Sequence, residues 1–509
     1  MSLFLPRTSL ALLLLAPVAC GDDIPSSDGG STGDGGSTTG ADGTSTTDPV
    51  ADEGSTAAPA TSDSGGQEST DETGFDPADP VCGNGFVEED EECDDGNADD
   101  ADACSNACQI PCGLQWDQLV LGPTLDSVIE GLGVARDAGD QVIISGLLRE
   151  VTVEMDGTTT VGEDTVLVQS HMSEGAGMVW EQVLDDPEGD VNFAGVAVDA
   201  AGEIYVAATV DAADGGRAIR AYRLAAADGA VTWVHDFDGA FAGEDELAFG
   251  IAVGPDGQPV VSGQVRAGDG DDDVWVRKLD AADGSEVWTE TYSGLGSGGF
   301  STDDGGPIAI GDDGSIYVLA RIYVDFQTAP GTLLRFGPDG GAPTWTFAPT
   351  PAGADQTFNP ETVTVASDGG PVMAVSRVDG ADFNFWVYKL DAAGQEQWLL
   401  EREDFEIEGQ GSDWILEDIS TNDEELIVLG RYRNDDGFDG QSWSEPWISR
   451  LDGDANLRCQ VLHQGDVNGL LPPSLFGYGV ATGSAGNALV AGELASEDES
   501  GLWFGSFRN

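Results

Sequence analysis

The chain has 509 residues, and 94 acidic side chains against 19 Lys and Arg give it a formal net charge of −75. This charge excludes nucleic-acid binding through phosphate contacts, because such contacts need clustered basic side chains. The length provides enough chain for one large domain or several small ones. After residue 20, no apolar run approaches the roughly 20 residues that a membrane-spanning helix needs.

Residues 1–20 have the pattern of an export signal. Arg7 supplies the positive end, residues 10–15 are apolar, and small residues precede Cys20. This ending resembles the lipobox of bacterial lipoproteins, in which the cysteine is lipidated and becomes the new N-terminus. The resemblance implies a lipid anchor at Cys20, and several acyl chains on one cysteine make anchoring stable. The alternative is an ordinary secretory signal cleaved near Ala19.

Residues 21–81 are almost entirely Gly, Ser, Thr, Asp, Ala and Pro. Such a segment has too few apolar side chains to offset its ordering entropy, so we predict a disordered linker that acts as a stalk. Removing Cys20 from the seven cysteines leaves six, an even number that favours disulfides in an oxidising compartment. We therefore expect an exported monomer that is lipid-anchored to the cell envelope, at the outer membrane or cell surface.

Residues 82–112 form a cysteine-rich module that contains CGNG, ECDDGN and CSNAC. These motifs closely resemble the cysteine-rich repeat of myxobacterial surface proteins. The resemblance implies two disulfides among Cys82, Cys93, Cys104 and Cys108, and three pairings are open. The module is also dense in oxygen ligands that suit Ca²⁺, with a solvated acidic turn as the alternative. The candidate calcium ligands here are Asp94, Asp95, Asn97 and Asp99.

From residue 113 to 509 the chain repeats a unit of about 55 residues, with short β-branched runs separated by Gly/Asp turns. Each copy predicts a four-stranded antiparallel sheet. The copies are counted by a tryptophan in the fourth strand and by the apolar second strand, and both series give seven. The fourth-strand residues are Trp116, Trp180, Trp233, Trp288, Trp345 and Trp398, with Cys459 in the remaining copy.

The two ends of this region complete each other. The last copy stops after its third strand, GLWFGSFRN, and the region opens with GLQWDQLVLG, a fourth strand with no preceding three. We therefore predict an all-β fold, a seven-bladed β-propeller closed by the N-terminal strand. Cys112 precedes the closing strand and Cys459 lies on the outer strand of blade six, so a disulfide between them would fasten the ring. The alternative pairs Cys112 within the cysteine-rich module.

The repeat also resembles bacterial propellers related to quinoprotein dehydrogenases. In that family the outer-strand tryptophans dock neighbouring blades, and we assign the six tryptophans here the same packing role. The enzymes of the family need an adjacent pair of cysteines or a basic and metal-binding set in the funnel, and this sequence lacks adjacent cysteines. The resemblance therefore implies the fold but not the reaction. We expect no resident cofactor, and calcium is the one ion that the sequence leaves open. The three histidines show no metal-site spacing, and we predict that they lie at strand ends.

One face of the predicted ring carries long, irregular loops, the usual place for binding on a rigid scaffold. These loops span residues 149–164, 292–305, 347–361, 402–415, 433–446 and 464–476. Their aromatic side chains are Phe300, Phe358, Phe405, Trp414, Trp443 and Phe476. Of these, Phe405, Trp414 and Trp443 are our candidates for ligand contact, with core packing as the alternative for some of the set.

Charged residues supply the other candidates on this long-loop face. The second strands of blades four, five and six end in Arg321, Arg377 and Arg431, which the sequence places in one register. Three aligned arginines would form an anion-binding patch. The alternative pairs each with a nearby acid such as Asp325, Asp379 or Asp435. A run of aspartates in blade three is a candidate calcium site, with a solvated turn as the alternative. Its members are Asp269, Asp271, Asp272 and Asp273.

These observations predict a surface lipoprotein without enzymatic activity, whose propeller binds an extracellular polysaccharide or protein through the long-loop face. Two alternatives stay open. The protein is an extracellular enzyme, either a polysaccharide hydrolase or a quinone-dependent dehydrogenase, or it is a purely structural envelope component. No sequence pattern identifies a catalytic residue, because with 94 acids some carboxylate pair always lies at a plausible separation.

Overall fold

The computed structural model describes residues 112–508, all within the compact unit Phe75–Asn509. The gaps in this range are residues 122–127, 138, 154–158, 173–176, 187–188, 268–269, 295–301, 325–328, 350–357, 380–381, 406–413, 423–424, 436–441, 464–473, 484–485 and 496–499. The predicted signal, linker and cysteine-rich module lie outside the described residues. No helix among the residues described is long and apolar enough to cross a membrane.

The described chain consists of 28 strands and one 3₁₀ turn, Arg402–Phe405. The N-terminal strand is β1 (Leu114–Leu121). Blade one contains β2 (Val128–Arg136), β3 (Val142–Val153), β4 (Thr159–His171) and β5 (Met178–Leu184). Blade two contains β6 (Val191–Val198), β7 (Ile204–Asp211), β8 (Arg217–Leu224) and β9 (Val231–Phe237). Blade three contains β10 (Leu247–Val253), β11 (Pro259–Arg266), β12 (Asp272–Leu279) and β13 (Glu286–Tyr292).

The remaining blades follow the same order. Blade four contains β14 (Ile308–Ile310), β15 (Ile316–Arg321), β16 (Gly331–Gly337) and β17 (Gly340–Phe347). Blade five contains β18 (Asn359–Val365), β19 (Pro371–Asp379), β20 (Asp382–Leu390) and β21 (Glu396–Glu401). Blade six contains β22 (Trp414–Thr421), β23 (Glu425–Asp435), β24 (Ser442–Asp452) and β25 (Leu457–Leu462). Blade seven contains β26 (Ser474–Thr482), β27 (Ala488–Ala495) and β28 (Ser500–Phe507), completed by β1.

The predicted seven-bladed ring and its closure are confirmed. Each blade is a four-stranded antiparallel sheet, and β1 forms the outer strand of the seventh by pairing with β28, from Leu114 opposite Phe507 to Leu121 opposite Gly501. First strands of neighbouring blades contact one another, which places them at the centre of the ring. The closure joins the two ends of the propeller through backbone hydrogen bonds.

The core lies between blades, and this explains the sequence pattern of each strand. Second strands such as β7 and β11 are buried along nearly their whole length, because each blade packs between two neighbours. They therefore appear as continuous apolar runs. Fourth strands such as β9 are mostly exposed, and in β9 only Trp233 is fully buried. Each hydrophobic cluster combines side chains of adjacent blades, as where Trp180 of blade one packs with strands of blade two.

Aspartates shape many of the tight turns between strands. Asp199 Oδ1 accepts the backbone amides of Ala201 and Glu203 at 2.8 and 2.9 Å. Asp391 and Asp452 each accept two amides in the same way, in turns between third and fourth strands. Such side-chain caps stabilise turns locally. Part of the acidity of the chain therefore has a structural use.

A disulfide joins Cys112 and Cys459, with their Cα atoms 6.0 Å apart. Cys112 is fully buried and lies two residues before β1. Cys459 lies on the outer strand β25 of blade six. The bond closes a loop of 347 residues that spans almost the whole propeller. It fastens the closing strand of blade seven to the neighbouring blade.

Candidate functional site

Five tryptophans of fourth strands join each blade to the next one. The indole Nε1 of each donates a hydrogen bond of 3.0–3.3 Å to a carbonyl in the turn between the third and fourth strands of the following blade. The pairs are Trp180 with Ala226, Trp233 with Ala281, Trp288 with Pro338, Trp345 with Ala392 and Trp398 with Gly453. The predicted packing role of these five tryptophans is confirmed.

A second repeated feature accounts for five of the few cations. In blades two to six, a third-strand Lys or Arg lies opposite the fourth-strand tryptophan, or opposite Cys459 in blade six. Each pairs with an acid in or next to the turn between the first two strands of its own blade. The pairs are Arg223 with Glu203, Lys278 with Asp256, Arg335 with Asp313, Lys389 with Asp368 and Arg450 with Glu425. These cations are structural and lie at the short-turn end of the blades.

Two of the three aromatic candidates for ligand contact are core residues, and that prediction was wrong for them. Trp414 is fully buried, with its ring centre 5.0 Å from Tyr432 and 5.6 Å from Trp447. Phe405 is also buried, 5.5 Å from both Phe385 and Trp447. Both belong to the predicted long loop of residues 402–415, but burial between blades five and six removes them from solvent. The side chain of Trp443, in β24, lies outside the described residues.

The remaining aromatic residues of the long-loop set divide in the same way. Phe358 is buried and packs edge-on against Trp386 at 5.3 Å. Phe300 lies outside the described residues. Phe476, at the start of β26, is half-buried and stacks on Tyr478 with ring centres 6.0 Å apart. Phe476 is therefore a described member of this set that is partly accessible, and its ring lies 5.2 Å from the Arg431 guanidinium.

The three arginines do not share one register. Arg431 lies opposite Ile415, two residues before the bulge at Glu417, and Arg321 has the equivalent position opposite Asp304. In blade five this position belongs to Ser376, which lies opposite Asn359. Arg377 is one residue further along, so its side chain belongs to the other face of its sheet.

First-strand acids neutralise two of these arginines. Arg321 pairs with Asp304, and both side chains are about nine-tenths buried. Burial raises the pKa of Asp304 to about 6, against the opposing effect of the Arg321 charge. Arg431 pairs with Glu417 at 3.2 Å. The predicted anion-binding patch is therefore wrong for this pair of arginines, while the side chains of Asp325, Asp379 and Asp435 lie outside those described.

Polar and aromatic side chains gather at the long-loop end of the first two strands in blades five to seven. We call this set the blade 5–7 cluster. Its members are Glu361, Ser376, Glu417, Arg431, Phe476, Tyr478 and Glu493. In each of these blades the residue at the first-strand bulge meets a polar residue of the second strand, because the bulge turns both toward one side.

Each of the three blades has its own contact in the cluster, and one further contact joins blades six and seven. The Ser376 hydroxyl donates to Glu361 in blade five. In blade six, the Arg431 guanidinium that pairs with Glu417 also lies 5.2 Å from the Phe476 ring of blade seven. The Tyr478 hydroxyl is 3.5 Å from Glu493, a carboxylate that is 9% exposed. The cluster therefore offers carboxylates, hydroxyls, one guanidinium and half-buried aromatic faces, the mixture typical of sites for polar organic ligands.

Sequence reasoning selected Arg431 as a candidate, named Phe476 only as an aromatic residue of the long loops, and missed the other five members. The missing information is the bulge, because a bulge changes which residues share a face and no single-residue pattern announces it. One weak signal exists. In blade seven the bulge residue lies between two glycines, Gly477 and Gly479, as Leu132 does between Gly131 and Gly133 in blade one.

The predicted calcium ligands are only partly described. Asp269 lies outside the described residues, as do Asp94, Asp95, Asn97 and Asp99. Arg266 pairs with Asp272 at 2.9 Å, and Asp271 is buried. Within the described parts of the propeller, no group of three or more His, Cys, Asp or Glu side chains has the arrangement of a metal site.

The three histidines pack between blades. His171 is buried 4.6 Å from Phe504 of blade seven, and burial lowers its pKa to about 4. His463 stacks on Trp503 of blade seven at 5.6 Å, and burial lowers its pKa as well. His235 lies 3.1 Å from the Arg277 guanidinium. Their predicted strand-end positions correspond to packing sites at the junctions between blades.

Part of the chain matches a described protein family, and several solved structures are similar to it at low identity. Residues 75–109 match a family described as a domain of unknown function (DUF4215), which overlaps the predicted cysteine-rich module. A comparison with curated proteins finds no match. Among solved structures, the quinohemoprotein alcohol dehydrogenase of Comamonas testosteroni is 13% identical with a TM-score of 0.39, over 78% of this chain and 76% of that chain.

Two further structures are similar at the same level. Polysaccharide lyase Uly1 is 10% identical with a TM-score of 0.46, over 78% of this chain and 99% of that chain. A protein of unknown function from Dyadobacter fermentans is 9% identical with a TM-score of 0.45, over 78% of this chain and all of that chain. At such identities the likeness concerns the fold alone.

Proposed function

We propose that the propeller is a binding scaffold for an extracellular polysaccharide and that the blade 5–7 cluster is its contact site. The observation that carries this proposal is the Arg431 guanidinium, held between Glu417 and the Phe476 ring at the end from which the long loops leave. Planar charged groups and aromatic faces side by side suit ligands that present both hydroxyls and apolar ring faces.

The charge of the cluster narrows the ligand class. Three carboxylates, Glu361, Glu417 and Glu493, accompany the single guanidinium of Arg431 among the cluster residues described. An anionic ligand would meet repulsion from this set, and that includes a carboxylated quinone cofactor. The side chains therefore favour a neutral or cationic polysaccharide over an acidic one.

The test is a binding screen of the secreted chain against neutral, cationic and acidic polysaccharides, with calcium and with chelator. Arg431→Gln and Phe476→Ala should each weaken saturable binding at least tenfold. Arg335→Gln is the matched control, because Arg335 is also a half-buried, acid-paired arginine but lies in the third strand of blade four, at the short-turn end. Equal weakening by Arg335→Gln, or unchanged binding in both cluster variants, would contradict the assignment.

A second candidate is polysaccharide cleavage at the same place. Tyr478 and the buried carboxylate of Glu493 form a hydroxyl–carboxylate pair that suits proton transfer. Depolymerised product in the binding wells would favour this candidate. Tyr478→Phe would then abolish product while it preserves binding, whereas a pure scaffold yields no product with either side chain.

We also propose that the protein is a monomer, exported and lipid-anchored through Cys20, with the linker as a stalk at the cell surface. The support for the lipid anchor and the stalk is the N-terminal sequence alone. Labelled fatty acid should enter the wild-type protein and not Cys20→Ser. Equal incorporation of labelled fatty acid into Cys20→Ser would contradict lipid anchoring at Cys20.

A further inference from the structure

The disulfide occupies the place of an inter-blade tryptophan contact. At four junctions, the tryptophan ring lies against a glycine with positive φ in the next blade, and a Cβ on that glycine would approach the ring within 2.5–3.0 Å. The ring–glycine pairs are Trp180 with Gly229, Trp233 with Gly284, Trp288 with Gly340 and Trp345 with Gly394. Each junction thus pairs a fourth-strand residue with a left-handed turn residue.

At the junction between blades six and seven, both of these positions are cysteine. Cys459 has the tryptophan position of β25, opposite Arg450. Cys112 has a φ of 59° and precedes Trp116 by the same spacing that separates Gly229 from Trp233. The covalent bond therefore joins the two positions that are in van der Waals contact at the ordinary junctions. We call this contact between blades six and seven the closing junction.

The closing junction differs from the others because its turn is open. In blades one to six the third and fourth strands are consecutive in the chain, but in blade seven they are β28 and β1, the two ends of the propeller. Here the turn is replaced by a hydrogen bond from the Arg508 amide to the Gly113 carbonyl at 2.9 Å. Arg450 of blade six also donates to the Arg508 carbonyl at 2.8 Å.

We propose that the Cys112–Cys459 disulfide carries mechanical load from the N-terminal segment into the propeller. The chain enters the ring at residue 112, so a pull on the preceding residues reaches Cys112 before it reaches β1. With the bond intact, the force passes through the sulfur atoms into β25. Without it, the same force acts on the edge strand β1, whose backbone hydrogen bonds to β28 are loaded from the end at Leu114.

Single-molecule stretching of the secreted chain, with ligation tags at both ends, tests this load path. The double variant C112S/C459S should show an early, low-force step in which β1 detaches. Residues 112–127, up to the start of β2, would be released, an extension of up to about 55 Å at roughly 3.5 Å per residue. The oxidised wild type should lack this step, and wild type stretched in reducing agent should show it.

Two further variants separate load bearing from simple destabilisation. Trp345→Ala removes the contact at an internal junction, where chain continuity still holds the strands, and it should add no step of this length. C112G/C459W installs the ordinary tryptophan contact at the closing junction and should raise the force of the early step above that of C112S/C459S. Two outcomes would overturn the proposal. One is an early step of this length in oxidised wild type. The other is the absence of that step in both cysteine variants when hydrogen exchange shows that each has a folded ring.

Discussion

The internal junctions and the closing junction hold neighbouring blades together by contacts of different strength. Between blades two and three, Trp233 fills the contact with one indole hydrogen bond of 3.0 Å to Ala281. Between blades six and seven, a disulfide occupies that place, and the third-strand cation Arg450 is 1% exposed beside Glu425 at 3%. In blade five the corresponding Lys389 faces Asp368, which is 63% exposed.

The difference follows from chain continuity. An internal blade is tethered by its own turns and by the connections on both sides, so loss of one contact does not free a strand. Blade seven depends on pairing between the two ends of the propeller, and the entropy of closing the long chain between Leu114 and Phe507 opposes that pairing. Strong contacts are therefore concentrated at the junction where chain continuity does not hold the strands together.

The largest effect is expected at the disulfide. C112S/C459S should lower the free energy of unfolding by up to about 5–6 kcal/mol, the loop-entropy value for this separation. Denaturant unfolding of oxidised wild type and of the variant measures the difference, with hydrogen exchange of β1 and β28 amides as the local readout. Faster exchange spread evenly over all seven blades would contradict a role confined to closure.

The buried cation should come next. Arg450→Met leaves the Glu425 carboxylate buried with only Arg458 as a charged partner in the described structure, and the expected cost is about 3–5 kcal/mol. Lys389→Met is the matched change in blade five, where the acid partner is solvated, and it should cost about 1 kcal/mol or less. Thermal and denaturant unfolding measure both variants. Equal losses would show that the closing junction has no special status.

An internal tryptophan should have an intermediate to small effect, depending on how much of it is removed. Trp233→Ala creates a cavity between blades two and three and should cost about 3 kcal/mol. Trp233→Phe keeps most of the packing and loses the hydrogen bond to Ala281, so about 1 kcal/mol is expected. Denaturant midpoints with unchanged slopes would measure both. A larger loss for Phe than for Ala would refute the packing assignment.

The smallest effect on stability at neutral pH is expected from the histidines that pack against blade seven. The folded pKa of His171 lies near 4, below its usual 6.5, so its contribution to stability is complete above pH 6.5 and is lost as pH falls toward 4. His463 acts in the same direction. The protection factors of β28 amides, which are corrected for the slower intrinsic exchange at low pH, should therefore fall more than those of β12 amides between pH 7 and pH 4.5, and His171→Gln should reduce that difference. An identical fall in both strands would contradict this prediction.

Much of the ring was predictable because its repeats are local. The glycine and aspartate turns, the apolar second strands and the fourth-strand tryptophans each leave a mark in the sequence, and seven copies make the count secure. The candidate site was less accessible. Trp414 and Phe405 belong to the predicted long loop of residues 402–415 yet are buried. Ser376 rather than Arg377 occupies the position that matches Arg431, because register depends on bulges that residue types do not announce.

By itself, the sequence determined the class of fold, the number of blades and the closing strand, because periodic patterning and a missing strand at each end allow a single simple ring. It also placed Cys459 where the other blades have tryptophan. Only the tertiary structure decided which side chains meet. It paired Arg431 with Glu417 and Phe476, paired Arg321 with Asp304, and joined Cys112 to Cys459. These contacts lie between strands or blades distant in the chain, and their geometry depends on bulges and inter-blade packing.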